Sequence, residues 1–339
     1  MLLTLAEQRS VLFFGGKGGV GKTSVAAAVA LAEADRGRRV HLVSTDPAHN
    51  LGHLFGAHLG DGGTEIAPNL TATEIDPAAT TERHLHAVEH QMRRMMPEHL
   101  HGEVRAYLLS ARTAPGMHEA AILERIAEIA TASDHDLVIF DTAPSGHTSR
   151  LMSLPETMGM WTESLLKSQQ RARRFGEVMA SLDDEAASIV GTREPGGAPE
   201  SFGHARGVGE RAAKRARDSE IRQVLLRRRD RFASLRDLLR DGDRSSFVLV
   251  LAAERLPVAE TIEFHADLTG HGIDVGALVV NKLSPPDGGG LLAARRVHEE
   301  EHLSVLAAAL PAVPRVEVPL LAEEVVGLGA LRSFSSLLA

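Results

Sequence analysis

Residues 15 to 24 read Gly-Gly-Lys-Gly-Gly-Val-Gly-Lys-Thr-Ser, and they constrain the fold more than any other part of the chain. They follow the apolar run Val11-Leu12-Phe13-Phe14 and precede an alanine-rich helical pattern from Ser24 to Arg36. Strand, glycine loop and helix in that order make a phosphate loop of the form G-x-x-x-x-G-K-[ST]. Gly16 and Gly21 are its fixed glycines, Lys22 its phosphate lysine and Thr23 its Mg²⁺ hydroxyl. The backbone from Gly16 through Lys17, Gly18, Gly19, Val20 and Gly21 to Ser24 would point its N–H groups into one concavity. The helix N-terminus adds partial positive charge there. Lys17 is an extra: an ordinary phosphate loop has no need of a second lysine. Its position suits contact with phosphates bound by a neighbouring subunit.

Seven short apolar runs read as buried strands, because both of their faces are hydrophobic. They are Val11 to Phe14, Val40 to Ser44, Leu70 to Ile75, Leu137 to Phe140, Phe247 to Ala252, Val275 to Val280 and Val313 to Val318. Helical patterns separate most of them. Repeated strand–helix units imply an α/β fold with a doubly wound, mostly parallel sheet and ligands at the carboxyl ends of its strands. The nucleotide-binding core is expected over residues 1–80, 116–153 and 244–339. Residues 81–115 and 154–243 break the alternation and read as helical insertions forming a subdomain. The stretch Gly191 to Gly209, rich in Gly and Pro, reads as a loop inside the second insertion.

Composition removes several function classes. The 339 residues include no cysteine, which excludes disulfides, thiolate zinc sites, iron–sulfur clusters and thiol capture of a metalloid. A net charge of −8 argues against nucleic acid as a partner. Residues 205–244 hold 13 Lys+Arg against 7 Asp+Glu, which reads as a solvated helical face or a contact for an acidic partner or anionic lipid. No run approaches about 20 apolar residues, so no spanning helix is expected. The N-terminus makes a poor signal peptide. The expected location is cytoplasmic, with peripheral membrane contact left open.

Two further strand ends complete a nucleotide switch. The first is Ser44-Thr45-Asp46-Pro47-Ala48-His49-Asn50, the second Phe140-Asp141-Thr142-Ala143-Pro144-Ser145-Gly146-His147-Thr148. Asp141 stands where an acidic residue holds Mg²⁺ through water beside the phosphate loop, and Asp46 can orient or deprotonate the attacking water. Phosphoryl transfer depends mainly on positioning and charge stabilisation, so a few such groups suffice.

The modified loop K-G-G-V-G-K-T, the segment S-T-D-P-A-H-N and the segment D-T-A-P-S-G-H-T together resemble the arsenical pump-driving ATPase (ArsA) family, which includes the guided-entry ATPase that targets tail-anchored membrane proteins. Val318-Pro319-Leu320-Leu321 with Glu324 to Leu328 is similar to that family's adenine loop, Asn281 to its adenine-reading asparagine, and Pro115 to Glu119 to its P-G-[IM]-x-E element. The resemblance implies a P-loop NTPase of the deviant Walker A, SIMIBI type that uses ATP and Mg²⁺. Thr23, Asp46 and Asp141 would serve the ion, partly through water. Asp46, Lys17 and Lys22 would be catalytic. Residues 16–24, Asn50, Asn281, Pro319 and Leu320 would bind the nucleotide. It also implies a homodimer around two ATP molecules, with Lys17 reaching across.

The chain departs from its look-alikes in having one copy and no cysteine, so neither a metalloid thiolate site nor a shared C-x-x-C zinc is available. Met158, Trp161, Leu165, Phe175, Val178, Met179 and Leu182 recur at helical spacing and serve either as core or as a groove for apolar helices. His86 and His90 have an i,i+4 spacing within the group His84, His86, His90, His99 and His101, but no third ligand stands out. His49 and His147 fall within the switch segments and read as supports of loop geometry. Three functions compete: an ATPase that binds or delivers a hydrophobic client, a subunit that energises a membrane exporter of anions or metalloids, and a partitioning or positioning ATPase. The C-terminus is a poor membrane anchor, and the long insertions also count against the last.

Overall fold

In a computed structural model, residues 1–46, 50–95, 101–112, 117–132, 134–142 and 226–339 are described, together with residues 163, 167, 219 and 222–224. The chain divides into two compact units, Met1–Pro155 with Ser234–Ala339, and Glu156–Ala233. In the second unit, a Lys167–Glu163 ion pair spans one helical turn at 2.9 Å. The Arg228 guanidinium there lies 5.7 Å from the Phe232 ring centroid.

The first unit is an eight-stranded sheet flanked by helices. In chain order the strands are β1 (Val11–Gly15), β2 (Val40–Ser44), β3 (Thr64–Ala67), β4 (Leu70–Glu74), β5 (Leu137–Asp141), β6 (Ser245–Ala252), β7 (Val275–Leu283) and β8 (Arg315–Pro319). Across the sheet they run β3-β4-β2-β5-β1-β6-β7-β8. Every pairing is parallel except β3 with β4. All seven apolar runs form strands, but the last, read as buried on both faces, is β8 at the other sheet edge, with Arg315, Glu317 and Pro319 exposed and only Val316 and Val318 buried. β3 is not among these runs: Thr-Glu-Ile-Ala is short, and at the sheet edge only its Ala67 is buried. An edge strand needs no two-sided apolar character, so it leaves little pattern to read.

The helices are α1 (Leu2–Gln8), α2 (Lys22–Asp35), α3 (Asn50–Phe55), α4 (Pro77–Met95), α5 (His101–Arg112), α6 (Met117–Ala132), α7 (Arg255–Gly270), α8 (Gly289–Ala309) and α9 (Gly327–Ser335). α2 is the central one. Its valines and all its alanines but Ala32 are buried, because α1 and α9 cover the side that the sheet does not. The apolar N-terminal residues Leu2, Leu3 and Ala6 are core of this unit. α4 begins where Asp76 Oδ1 accepts from Ala78 N at 2.8 Å and Ala79 N at 3.2 Å, with Pro77 in the first turn. Leu85 of α4 and Leu108 of α5 then close a small apolar cluster with Val88 and Met117.

The sheet centre is pinned by an aromatic ladder. Phe13 of β1 stacks between Phe140 of β5 and Phe247 of β6, with centroids at 4.9 and 5.0 Å and interplanar angles of 11°. Phe264 of α7 meets Phe247 edge-on at 6.1 Å. The period-2 alternation sends Leu12 and Phe14 to the opposite face, into the cluster containing α2. A side chain at Gly15 would meet the Phe264 ring at 2.6 Å, so the end of β1 can lie against α7 only as glycine. Among the described residues no helix is long and apolar enough to cross a membrane.

Candidate functional site

Sheet order brings the motifs together. β2, β5 and β1 are neighbours, so Ser44 pairs with Asp141 and Asp141 with Phe14 at one carboxyl edge. The loop after β1 therefore emerges beside Asp141, and the segment after β2 beside it again. Thr45 N donates to Asp141 O at 2.9 Å, and Thr142 Oγ1 to Phe14 O at 2.8 Å, tying the three strand ends.

Glycine is required in the loop at two places. A Cβ on Gly16, whose φ is +142°, would sit 2.0 Å from the Val250 carbonyl oxygen. A Cβ on Gly21, whose φ is +92°, would sit 2.4 Å from Asn281 Nδ2. The loop is thereby wedged between β6 and the end of β7. Lys22 opens α2, is 5% exposed, and donates from Nζ to Lys17 O at 3.0 Å. Burial lowers its pKa, opposed by the charges of Asp141 and Asp46. Thr23 Oγ1 donates to Asp141 Oδ2 at 2.7 Å. Asp141 is 1% exposed, and its Oδ1 has no hydrogen-bond partner. Burial pushes its carboxyl up to about 7; the Thr23 hydrogen bond and Lys22 oppose the rise, and the Asp46 charge adds to it.

These groups border a cavity of about 580 Å³. Gly18, Gly19, Gly21, Lys22, Thr23, Ser24 and Asp46 line it, as do Asn281, Pro319 and Leu320. Gly16, Lys17 and Val20 do not line it. Val20 is core, and its carbonyl accepts from Asn281 Nδ2 at 2.9 Å. Lys17 is turned to its own chain, where Nζ pairs with Glu260 of α7 at 2.8 Å. Asn50 opens α3, but its side chain lies outside the described residues, as do Pro47 to His49 and Ala143 to Arg150.

A hard divalent cation fits this donor set. An orphaned buried carboxylate oxygen and an adjacent hydroxyl are oxygen donors of the kind Mg²⁺ takes with a substrate phosphate. Outside this place, His86 and His90 are exposed on α4, and His101 Nε2 is hydrogen-bonded to Arg93 O at 2.9 Å. Among the described residues no three His, Asp or Glu side chains group to hold a metal ion. His99, His147 and the apolar stripe from Met158 to Leu182 lie outside them. Glu260 and Lys282 were not singled out from the sequence, nor were His53 and Leu54 of the cavity wall. Only the contiguity of Lys282 with Asn281 could have drawn notice.

A sequence model of the anion-transporting ATPase (ArsA-type) family matches residues 9–194 and 207–339. An ATPase get3 of Aspergillus terreus is 32% identical over 348 residues, covering 99% of this chain and 93% of that protein. An ATPase ASNA1 homolog of Leishmania braziliensis is 31% identical, covering 96% and 92%. The arsenical pump-driving ATPase 2 of Aquifex aeolicus is 28% identical, covering 97% and 98%. Matched along almost its full length, and to relatives above 30% identity, the chain belongs to the anion-transporting, ArsA-type ATPase family and is an ATPase.

Proposed function

We propose that this ATPase works as a Mg²⁺-dependent switch: a homodimer holds two nucleotides at its interface, and helical insertions bind or deliver a hydrophobic membrane-protein client. The observation that carries the catalytic part is the Thr23–Asp141 bond of 2.7 Å beside buried Lys22, in a cavity that Asn281 also lines. Lys22 and the loop amides hold the phosphates. Asp46, half-buried on the cavity wall, orients the attacking water and accepts its proton. Thr23 and Asp141 would hold Mg²⁺, with Asp46 acting partly through water. When bound, the ion would neutralise charge on the phosphates. Lys17 would leave Glu260 to reach the partner's nucleotide. Asn281, Pro319 and Leu320 would receive the adenine, and Asn50 would complete the nucleotide contacts.

Client delivery rests on the family resemblance and on the length of the insertions. A second reading, energising an anion exporter, is favoured by relatives named as arsenical pump-driving ATPases. With no cysteine in the chain, that role would need an effector other than a thiolate-bound metalloid. A cytoplasmic location, peripheral to a membrane, suits either role.

Mixed dimers test the arrangement. Asp46→Asn should bind ATP but lose most turnover, and Lys17→Ala should do the same. Mixing the two should restore part of the activity, since one site then has an intact Asp46 and a Lys17 from across the interface. Demonstrated mixed dimers without rescue would remove Lys17 from action in trans. Binding of an apolar helical peptide, against stimulation of turnover by oxyanions, separates the two roles.

A further inference from the structure

The end of β7 is irregular in a way that places two side chains on one target. β7 pairs with β8 through Leu278–Arg315, Val279–Val316 and Val280–Glu317, and then through Leu283–Pro319. Three steps along β7 oppose two along β8, so β7 carries one extra residue, a β-bulge. Lys282 sits in it at φ +62°, a left-handed conformation that a lysine rarely adopts. In a regular strand, Asn281 and Lys282 would point to opposite faces of the sheet. Here both reach the phosphate loop: Asn281 Nδ2 donates to Val20 O at 2.9 Å and Lys282 Nζ to Gly19 O at 2.8 Å.

The surroundings hold this conformation in place. Lys282 N donates to Asn281 Oδ1 at 2.9 Å, closing the bulge on itself. Beyond it, Ser284 N and Oγ both donate to the buried Glu299 carboxylate, at 2.8 and 2.9 Å. Strained backbone persists only where its neighbours over-determine it, and it gathers at ligand clamps. Lys282 also lines the cavity with Asn281, Pro319 and Leu320. Its ammonium is anchored on the loop, so its methylene stem is held in place at the cavity wall.

We propose that Lys282 is a base-binding residue: with Nζ fixed on Gly19 O, its stem packs on the purine of the bound nucleotide. The inference rests on the nucleotide site proposed above. It gives the bulge a purpose, which is to bring a second consecutive side chain to the base while Asn281 holds the loop.

The test compares Mg²⁺-ATP with Mg²⁺-tripolyphosphate, which lacks the nucleoside, by calorimetric titration of the full chain. Lys282→Ala should weaken ATP about tenfold, the loss of roughly two buried methylene contacts, and leave tripolyphosphate within about twofold. Lys282→Arg should keep ATP affinity within about threefold. Lys282→Gly relieves the left-handed backbone and should show the same selective loss of ATP with an unharmed melt. Wild-type ATP affinity in the Ala and Gly variants would overturn the proposal. Equal losses for ATP and tripolyphosphate would also overturn it, because Lys282 would then only shape the loop. Lys22→Ala is the control for the underlying site. If it binds both ligands as wild type does, the site itself is wrong, whatever Lys282 does.

Discussion

Asp141, with its buried carboxyl, gives the nucleotide-free protein a pH-dependent loss of stability. Its carboxyl is fully buried, has one unpartnered oxygen, and is raised from 3.8 to about 7. A raised carboxyl binds its proton more tightly in the folded state. Its contribution to stability is therefore complete below about 3.8 and is lost as pH rises through about 7. Roughly three pKa units at 1.36 kcal/mol each put the loss on the order of 4 kcal/mol. Asp141→Asn removes the titration. It also removes the charge that helps Lys22 keep its proton, so absolute stabilities are not the comparison to make. The assay is urea unfolding with EDTA and no nucleotide, in steps from pH 4.5 to 7.5. Wild-type stability minus that of Asp141→Asn should fall by about 3 kcal/mol across the range, the remainder of the change lying outside it. A difference that stays flat within about 1 kcal/mol would refute the buried, metal-less carboxylate. If the same group receives Mg²⁺, wild-type affinity for the ion at pH 6 should be about tenfold below its plateau above pH 8, since a metal must displace the proton.

Two other outcomes check the surrounding framework. His41 is half-buried against Thr73, with Nε2 to Oγ1 at 2.9 Å, and desolvation, with the nearby charges of His135 and Arg125, lowers its pKa to about 4. That stability is present above about 6.5 and lost as pH falls toward 4, opposite in sign to Asp141, so His41→Gln should flatten the acid limb of a urea-midpoint profile by a few (~3) kcal/mol. Glu33, with no exposed side-chain surface, is paired with Arg36 at 2.7 Å and Arg38 at 2.9 Å, so Glu33→Ala should cost about 3–5 kcal/mol in chemical denaturation by stranding the Arg38 charge.

The phosphate loop and the parallel sheet are legible in the chain alone. Both are written locally: glycines at fixed offsets before a helix, and runs apolar on both faces. Residues 11 to 24 needed no partner to be read. The edge strand Thr64–Ala67 was not legible, because a half-exposed edge imposes no such pattern. Which strand ends meet depends on the order of strands in the sheet. Thr23 and Asp141 are 118 residues apart, and they touch because β5 is inserted between β2 and β1. The same holds for Lys17 against Glu260, 243 residues on, a pairing that depends on α7 packing beside the loop. Lys282 is the sharpest case. Strand periodicity sends it away from Asn281, and a bulge against β8 turns it back. A bulge is set by the register between two strands, and no local run of residues encodes that register.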